Sequence, residues 1–276
     1  LAVVLFNKPN NKSANRYLAL LLFTYSLFII ESSVSGSDFS FRHPHLLAIA
    51  EGVVFLVGPL HYFYARAMTS PGFSFTRKHV LHFIPFAGIY LTFLFPFYLK
   101  SGAEKVVIYK TLSASSPPPL VAFFSWMILV QGIVYMVLTL NLLKKHKSTV
   151  KNNFSYLSKV SLNWLKTITV LTLSSWLWGV IIEILQIFDR AGALTVTVPI
   201  AITILIYVMG YMGMRQPEIF ENELQVKRTG KYERSGLSPE KAQVLHEKLI
   251  DLMETKKPFT DSDLKLAHLA RMLSAS

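Results

Sequence analysis

The sequence predicts an all-α protein: a polytopic transmembrane helix bundle of six full spans plus the tail of a first, followed by a cytoplasmic linker helix and further soluble helices. Three observations carry this. Hydrophobic residues fill 52% of the 276 positions, and the mean hydropathy of +0.41 is too apolar for an ordinary soluble domain. Six stretches, 14–30, 46–65, 80–99, 120–143, 167–188 and 191–214, approach the roughly 20 apolar residues a helix needs to cross a bilayer core. Residues 237–276 then lose that character and take up the three- and four-residue apolar spacing of half-buried helices.

The elements follow in order. The opening Leu1-Ala2-Val3-Val4-Leu5-Phe6 runs directly into Asn7-Lys8-Pro9, so it reads as the last turns of an earlier span. A seventh helix is expected upstream. The run is too short for a signal peptide and has no upstream basic region. Within 46–65, Gly58-Pro59 removes a helical amide and predicts a bend, while His82 and Pro85 mark the start of 80–99. Ser113 to Pro119, ending in three prolines, makes a stiff connection before 120–143, and Gln216-Pro217 ends the last span. Residues 1–214 form the bundle and 215–236 the charged linker; 237–276 is a separate soluble segment.

Orientation comes from Lys and Arg near the span ends. Lys8, Lys12, Arg16, Arg66, Arg77, Lys78, Lys144, Lys145, Lys147, Lys151, Lys159 and Lys166 lie on one side, which is twelve; Arg42, Lys100, Lys105, Lys110 and Arg190 lie on the other, which is five. The first side is expected to be cytoplasmic, and the tail after Met214 falls on it. The net charge of +12 therefore belongs first to basic cytoplasmic loops. Zero cysteines exclude a disulfide framework, a thiolate metal site and a cysteine nucleophile.

The tail is the most specific part. Ser238-Pro239-Glu240 combines a capping hydroxyl, a proline suited to the first turn and an acid at the positive end of the dipole. Leu245, Leu249 and Leu252, with Ala242, form one stripe, and Glu240, Lys241, Glu247, Lys248 and Asp251 take the other faces. After Lys256-Lys257-Pro258 and a run of cap-type residues, Leu266, Leu269, Ala270 and Leu273 line a second short helix, which together reads as the start of a helix-turn-helix. "SGLSPEKAQVLHEKLIDLMETKKPF" followed by "DSDLKLAHLARMLSAS" resembles the beginning of the AraC-type DNA-binding domain with its connecting helix. Lys265 stands where the family often has a Ser or Thr cap, and Ser274 where it often has Gly. "EGVVFLVGPLHYFYARAMTSPG" and "RKHVLHFIPF" in turn resemble the seven-helix sensor region of membrane-bound AraC-type regulators. The resemblance implies a receptor-like bundle feeding a cytoplasmic DNA-binding domain in a bacterial cytoplasmic (inner) membrane. It implies no enzyme and no cofactor. The recognition helix of that family is expected beyond Ser276, so residues 1–276 are not expected to bind DNA specifically and their DNA-contacting residues are unassigned.

Ionisable and polar groups inside spans mark the candidate site, because they are costly at membrane depth and turn toward the bundle interior or water. Glu183 reads either as a group near the outer interface or as a cavity carboxylate. Glu51 comes early in its span and so on the same outer side, which allows both to border one extracytoplasmic pocket. His61, Tyr62 and Tyr64 follow Gly58-Pro59; the simpler account of His61 is an internal hydrogen bond, the other a cavity shaped by the bend. His82, Gln131 and Tyr135 complete the candidate pocket, with interhelical hydrogen bonding as the plainer reading. His79 and His82 are one helical turn apart, and His43-Pro44-His45 lies near Asp38 and Glu31. Neither is a metal-protease helix motif, and no serine-nucleophile elbow occurs, so no catalytic residue and no metal site is assigned. Trp126, Trp164, Trp176 and Trp178 suit interface belts or helix packing. The expected partners are the lipid membrane, an unknown small ligand or membrane signal, DNA for the full-length protein, and a second copy of the chain, met through the bundle or through the Leu245, Leu249, Leu252 helix. A small-molecule transporter or channel is the competing reading.

Overall fold

The structure, a computed structural model, describes residues 1–9, 11–70, 72–113, 117–153, 162–188, 190–215 and 239–258, together with 269, 270, 272 and 273. The chain divides into two units, Leu1–Phe220 and Glu221–Ser276. All regular structure among the described residues is helical.

In the first unit the α-helices are α1 (Ala2–Asn7), α2 (Lys12–Val34), α3 (Asp38–Arg42), α4 (Val57–Thr69), α5 (Ile84–Phe93), α6 (Gly102–Ser113), α7 (Pro119–Asn153), α8 (Asn163–Ile187) and α9 (Thr197–Arg215). Six helical segments are long and apolar enough to cross a membrane: Lys12–Val34, Pro44–Thr69, Arg77–Tyr98, Pro119–Ser148, Asn163–Ile187 and Gly192–Arg215. They coincide with the six apolar stretches, extended mostly by a turn of polar residues that complete the helices beyond the apolar core. Large apolar side chains such as Phe23, Leu91, Phe95, Phe123 and Ile204 are exposed on these segments. So much outward apolar surface belongs against lipid rather than water. The first unit is a multi-pass membrane bundle.

Three spans are composite. The 3₁₀ turn Glu51–Leu56 runs into α4, the 3₁₀ turn Arg77–Phe83 into α5, and the 3₁₀ turn Gly192–Val196 into α9. Pro59 falls in the first turn of α4, just past the junction of the 3₁₀ turn with the α-helix. Pro85, the second residue of α5, likewise follows such a junction. Helices α3 and α6 lie in the connections between spans. An Ser-x-x-Glu capping box starts α6: Ser101 N donates to Glu104 Oε2 at 2.9 Å and Glu104 N donates to Ser101 Oγ at 3.4 Å.

Packing closes a ring, because α2 contacts α4, α4 contacts α7, α7 contacts α8, α8 contacts α9 and α9 returns to α2. The span Arg77–Tyr98 lies outside it and docks on the 3₁₀ turn through Phe55, Ile89 and Phe124. Successive spans along the chain alternate in direction, so the ring neighbours α4 and α7 run parallel, and Lys12, Arg16, Arg66, Lys144, Lys145, Lys166 and Arg215 gather at one end, here the basic end. Toward that end the ring is filled by Leu5, Leu18, Leu21, Ala65, Met68, Leu165 and Met209, each 1% exposed or less. Glycine makes two of the contacts possible. A Cβ on Gly58 would stand 2.6 Å from the Tyr135 ring, and one on Gly132 would collide with the Trp176 indole.

In the second unit, α10 (Pro239–Thr255) forms where the amphipathic pattern predicts it. Leu252 is buried and Leu245 and Leu249 half-buried, whereas Val244 and Ile250 are exposed. The Ser238 cap, linker residues 216–236 and most of the second short helix at 264–273 lie outside the described residues; of the latter, Leu269, Ala270 and Met272 are helical.

One polar contact crosses the packed core. Thr169 Oγ1 donates to Leu165 O at 2.8 Å, which leaves His61 Nε2–H to donate to Thr169 Oγ1 at 3.0 Å; both side chains are fully buried. Thr169→Val preserves shape and orphans the imidazole N–H. Reversible unfolding in mixed micelles should show a loss of about 1 kcal/mol, with the α-helical signal of the folded state unchanged.

Candidate ligand-binding site

At the end of the ring opposite the basic end the packing stops short, leaving a partly open cavity of about 240 Å³. Every ring element contributes to its wall. Tyr25 and Phe28 come from α2, Glu51 and Val54 from the 3₁₀ turn, Val57 from α4, Ser125, Ile128 and Leu129 from α7, Trp176, Trp178, Ile182 and Glu183 from α8, and Ala201 and Ile202 from α9. Side-chain register explains the set. On α8, Ser175, Trp176, Gly179, Ile182 and Glu183 recur at three- and four-residue spacing and so share one stripe.

Most of the lining is apolar, and its few polar atoms fall into two kinds. Some are already engaged: Ser175 Oγ donates to Thr172 O at 2.8 Å, and Trp178 Nε1 donates to Thr197 Oγ1 at 2.8 Å. Others are not. Neither Glu51 nor Glu183 accepts a hydrogen bond or joins an ion pair among the described residues, where the only ion pair is Lys100–Glu104 at the surface. Trp176 Nε1 is buried without a partner. Among the described residues no Lys, Arg or His lines the cavity.

A third carboxylate stands beside this wall. Glu31, 6% exposed near the end of α2, accepts from Ala50 N through Oε2 at 2.9 Å, while Oε1 is buried and unpartnered. It is close enough to Glu51 for the two carboxylates to repel. Tyr90 and Tyr98, which donate to Ile49 O at 2.6 Å and Ala48 O at 2.8 Å, pin the backbone just ahead of Glu51. Negative charge therefore concentrates at this end of the ring.

The eight residues expected to form one pocket separate into three groups and a single residue. Glu51 and Glu183 share the cavity. His61 and Tyr64 point into the packed core, where His61 meets Thr169 and Tyr64 packs on Trp164 with ring centroids 6.2 Å apart. Tyr62, His82 and Tyr135 form a cluster against the span outside the ring: His82 Nδ1 is 2.5 Å from Tyr135 OH, and Tyr62 lies 6.4 Å and 6.1 Å from the two rings. Gln131, half-buried on α7, belongs to none of these groups. The division follows from helix geometry, since His61, Tyr64, Ala65 and Met68 share the inner stripe of α4 while Tyr62 and Arg66 share another.

No family model, no curated protein and no solved structure matches this chain. Its chemistry is therefore read from its own side chains.

The histidines have local partners. His79 Nδ1 accepts from Thr76 N at 3.0 Å within a capping box, and His45 Nδ1 lies 3.1 Å from Lys105 Nζ. His43 packs on Phe39. Among the described residues no three His, Asp or Glu side chains converge as a metal set.

Sequence reasoning missed Tyr25, Phe28, Trp176 and Trp178 as cavity walls. Matching depths along alternating spans would have found them, because 25–28, 51–57, 125–129, 175–183 and 198–202 all lie toward the same end of their helices.

The Gly132 approach fixes one wall of the cavity, since the Trp176 indole that it accommodates lines the void. Gly132→Ala should displace that indole, lower stability by about 1–3 kcal/mol and shift the tryptophan emission of the folded protein. Unchanged emission and stability would mean that α7 and α8 do not meet here.

Proposed function

We propose that this protein is a membrane-embedded one-component sensor, in which the bundle binds a small ligand and the segment after α9 passes the signal to a cytoplasmic DNA-binding domain of the AraC type. One observation supports the sensing half above others. The cavity is walled by all five ring elements and ends on a core packed from Leu21 and Leu18 through Ala65 and Leu165 to Met68. A void sealed on one side suits capture of a ligand better than its passage.

The transcriptional half rests on the tail motif and on charge. The basic end holds the connections richest in Lys and Arg and also the end of α9 at Arg215, which fits a cytoplasmic C-terminus in a bacterial inner membrane. DNA is then the partner of the full-length protein. A homodimer fits that output, because paired half-sites are read by two-fold symmetric proteins. Since the Leu245, Leu249, Leu252 stripe is largely covered, the exposed Val244 and Ile250 are the better candidates for such a contact. Catalysis has no place in this reading.

A transporter would use the same helices differently, by opening the basic end. Proteoliposomes containing the chain should show stabilisation by a cavity ligand with no protein-dependent flux of that compound above the background of empty vesicles. Protein-dependent flux, saturable in the compound, would replace the sensor by a transporter.

A further inference from the structure

We infer that the cavity binds a small organic cation: an ammonium group attached to one apolar moiety about the size of an aromatic ring. This rests on the reading of the cavity as a ligand site and adds the chemistry of what fills it.

Charge comes first. Glu51 and Glu183 face one void from the 3₁₀ turn before α4 and from α8, and the lining contains no cationic side chain to neutralise them. Both lack hydrogen-bond and ion-pair partners among the described residues. Ionisable groups at membrane depth are expensive, and they are normally paired or turned to water. Glu51 is exposed and Glu183 half-buried, so both can meet a cation that enters the open side of the cavity. Glu31 adds to the demand, because its buried Oε1 has no donor and the Glu51 carboxylate stands close enough to act on it. An anionic ligand would be repelled by all three groups, and a neutral one would leave them as they are.

The walls fix the rest of the molecule. Trp176 and Trp178, with Tyr25 and Phe28, give the void four aromatic side chains, and the face of an indole attracts an ammonium within about 6 Å, most strongly where water is excluded. Val54, Ile128 and Ile202 supply apolar surface for the remainder. Size then limits the class. A dry cavity of about 150 Å³ accommodates benzene, so 240 Å³ leaves room for a ring and a short aminoalkyl arm but not for a peptide or a nucleotide.

The test uses the full chain in nanodiscs and four probes of similar size: 2-phenylethylamine, 2-phenylethanol, 3-phenylpropionate and 1,4-diaminobutane. Thermal stability is followed with increasing concentrations of each at neutral pH. The amine should stabilise with an apparent Kd at least about tenfold below that of the alcohol, the differential expected for one desolvated cation–aromatic and carboxylate contact. Phenylpropionate should have no effect, and diaminobutane, which lacks the ring, should bind more weakly than the amine. Glu51→Gln and Glu183→Gln should each raise the amine Kd by about tenfold and leave the weak binding of the alcohol unchanged.

Equal affinity for the alcohol and the amine, preference for the carboxylate, or no stabilisation by any of the four overturns the proposal. The comparison among probes is made on the unmodified protein, so it holds even if a variant fails to fold. Flux separates this result from the function proposed above. An amine that binds and crosses the vesicle keeps the cation site but makes the protein a transporter, whereas a neutral probe that binds as tightly as the amine without crossing keeps the sensor and removes the cation.

Discussion

A ring of five helices must be filled from within, and this one is filled over only part of its length. At the basic end, Leu5 of α1 reaches in beside α2 and α9, and Gly213 admits Leu18 where any larger residue would hold the helices apart. Glycines at close helix contacts do in lipid what large apolar residues do in water: they let surfaces meet and gain dispersion energy. At the other end the same ring carries Trp176 and Trp178, whose rigid rings brace the helices without filling the space between them. The cavity is a consequence of that uneven filling.

Two kinds of polar group follow, and their energetics differ. His61 and Thr169 satisfy each other in part, so their pairing adds only about 1 kcal/mol and requires no external partner. Glu51 and Glu183 have no such arrangement. Glu51 is exposed and Glu183 half-buried, and both lie toward the outer ends of their spans, so neither carries the full cost of a charge at the centre of a spanning helix. Two carboxylates facing one void are hard to explain as packing. They are readily explained as a site, and the aromatic walls around them indicate what kind.

How much of this was legible in sequence varies by level. Hydropathy located all six spans because the bilayer imposes length on each helix independently of its neighbours. Glu51 and Glu183 stood out for a similar local reason, as charges in apolar runs. The remaining site residues depend on rotation and depth, which one-dimensional patterns do not encode. Tyr62 is adjacent to His61 in sequence yet faces a different neighbour, because successive helical residues are turned about 100° apart. Trp176 passed as an ordinary membrane tryptophan until Gly132 was seen to lie against it. Pro59 and Pro85 signalled irregularity correctly, but only the structure places each at the junction of a 3₁₀ turn with an α-helix. The AraC-like tail is the converse case: its signal is in the sequence, while linker residues 216–236 and most of 264–273 lie outside the described residues.

Under the proposed function, α9 is the element able to connect cavity and tail. It enters the wall through Val198, Ala201 and Ile202, then runs without interruption to Arg215, beyond which the linker begins. A helix is stiff along its axis, so a change of tilt at Ala201 arrives at Arg215 as a displacement rather than being absorbed on the way. That end is held by Lys8, whose ammonium donates to Gly213 O at 3.3 Å and Met214 O at 2.8 Å. A cation at the last carbonyls of a helix satisfies acceptors that have no helical partner and opposes the negative end of the dipole. Partial burial lowers the pKa of the Lys8 amine below its usual 10.5, because desolvation disfavours the charged form. A stiff rod with one end in the cavity wall and the other held by the two Lys8 hydrogen bonds and by the packing of Gly213 on Leu18 has the mechanical form that a one-helix signal requires. None of the other ring helices has both features, since α2, α4, α7 and α8 reach the cavity but do not lead into the tail.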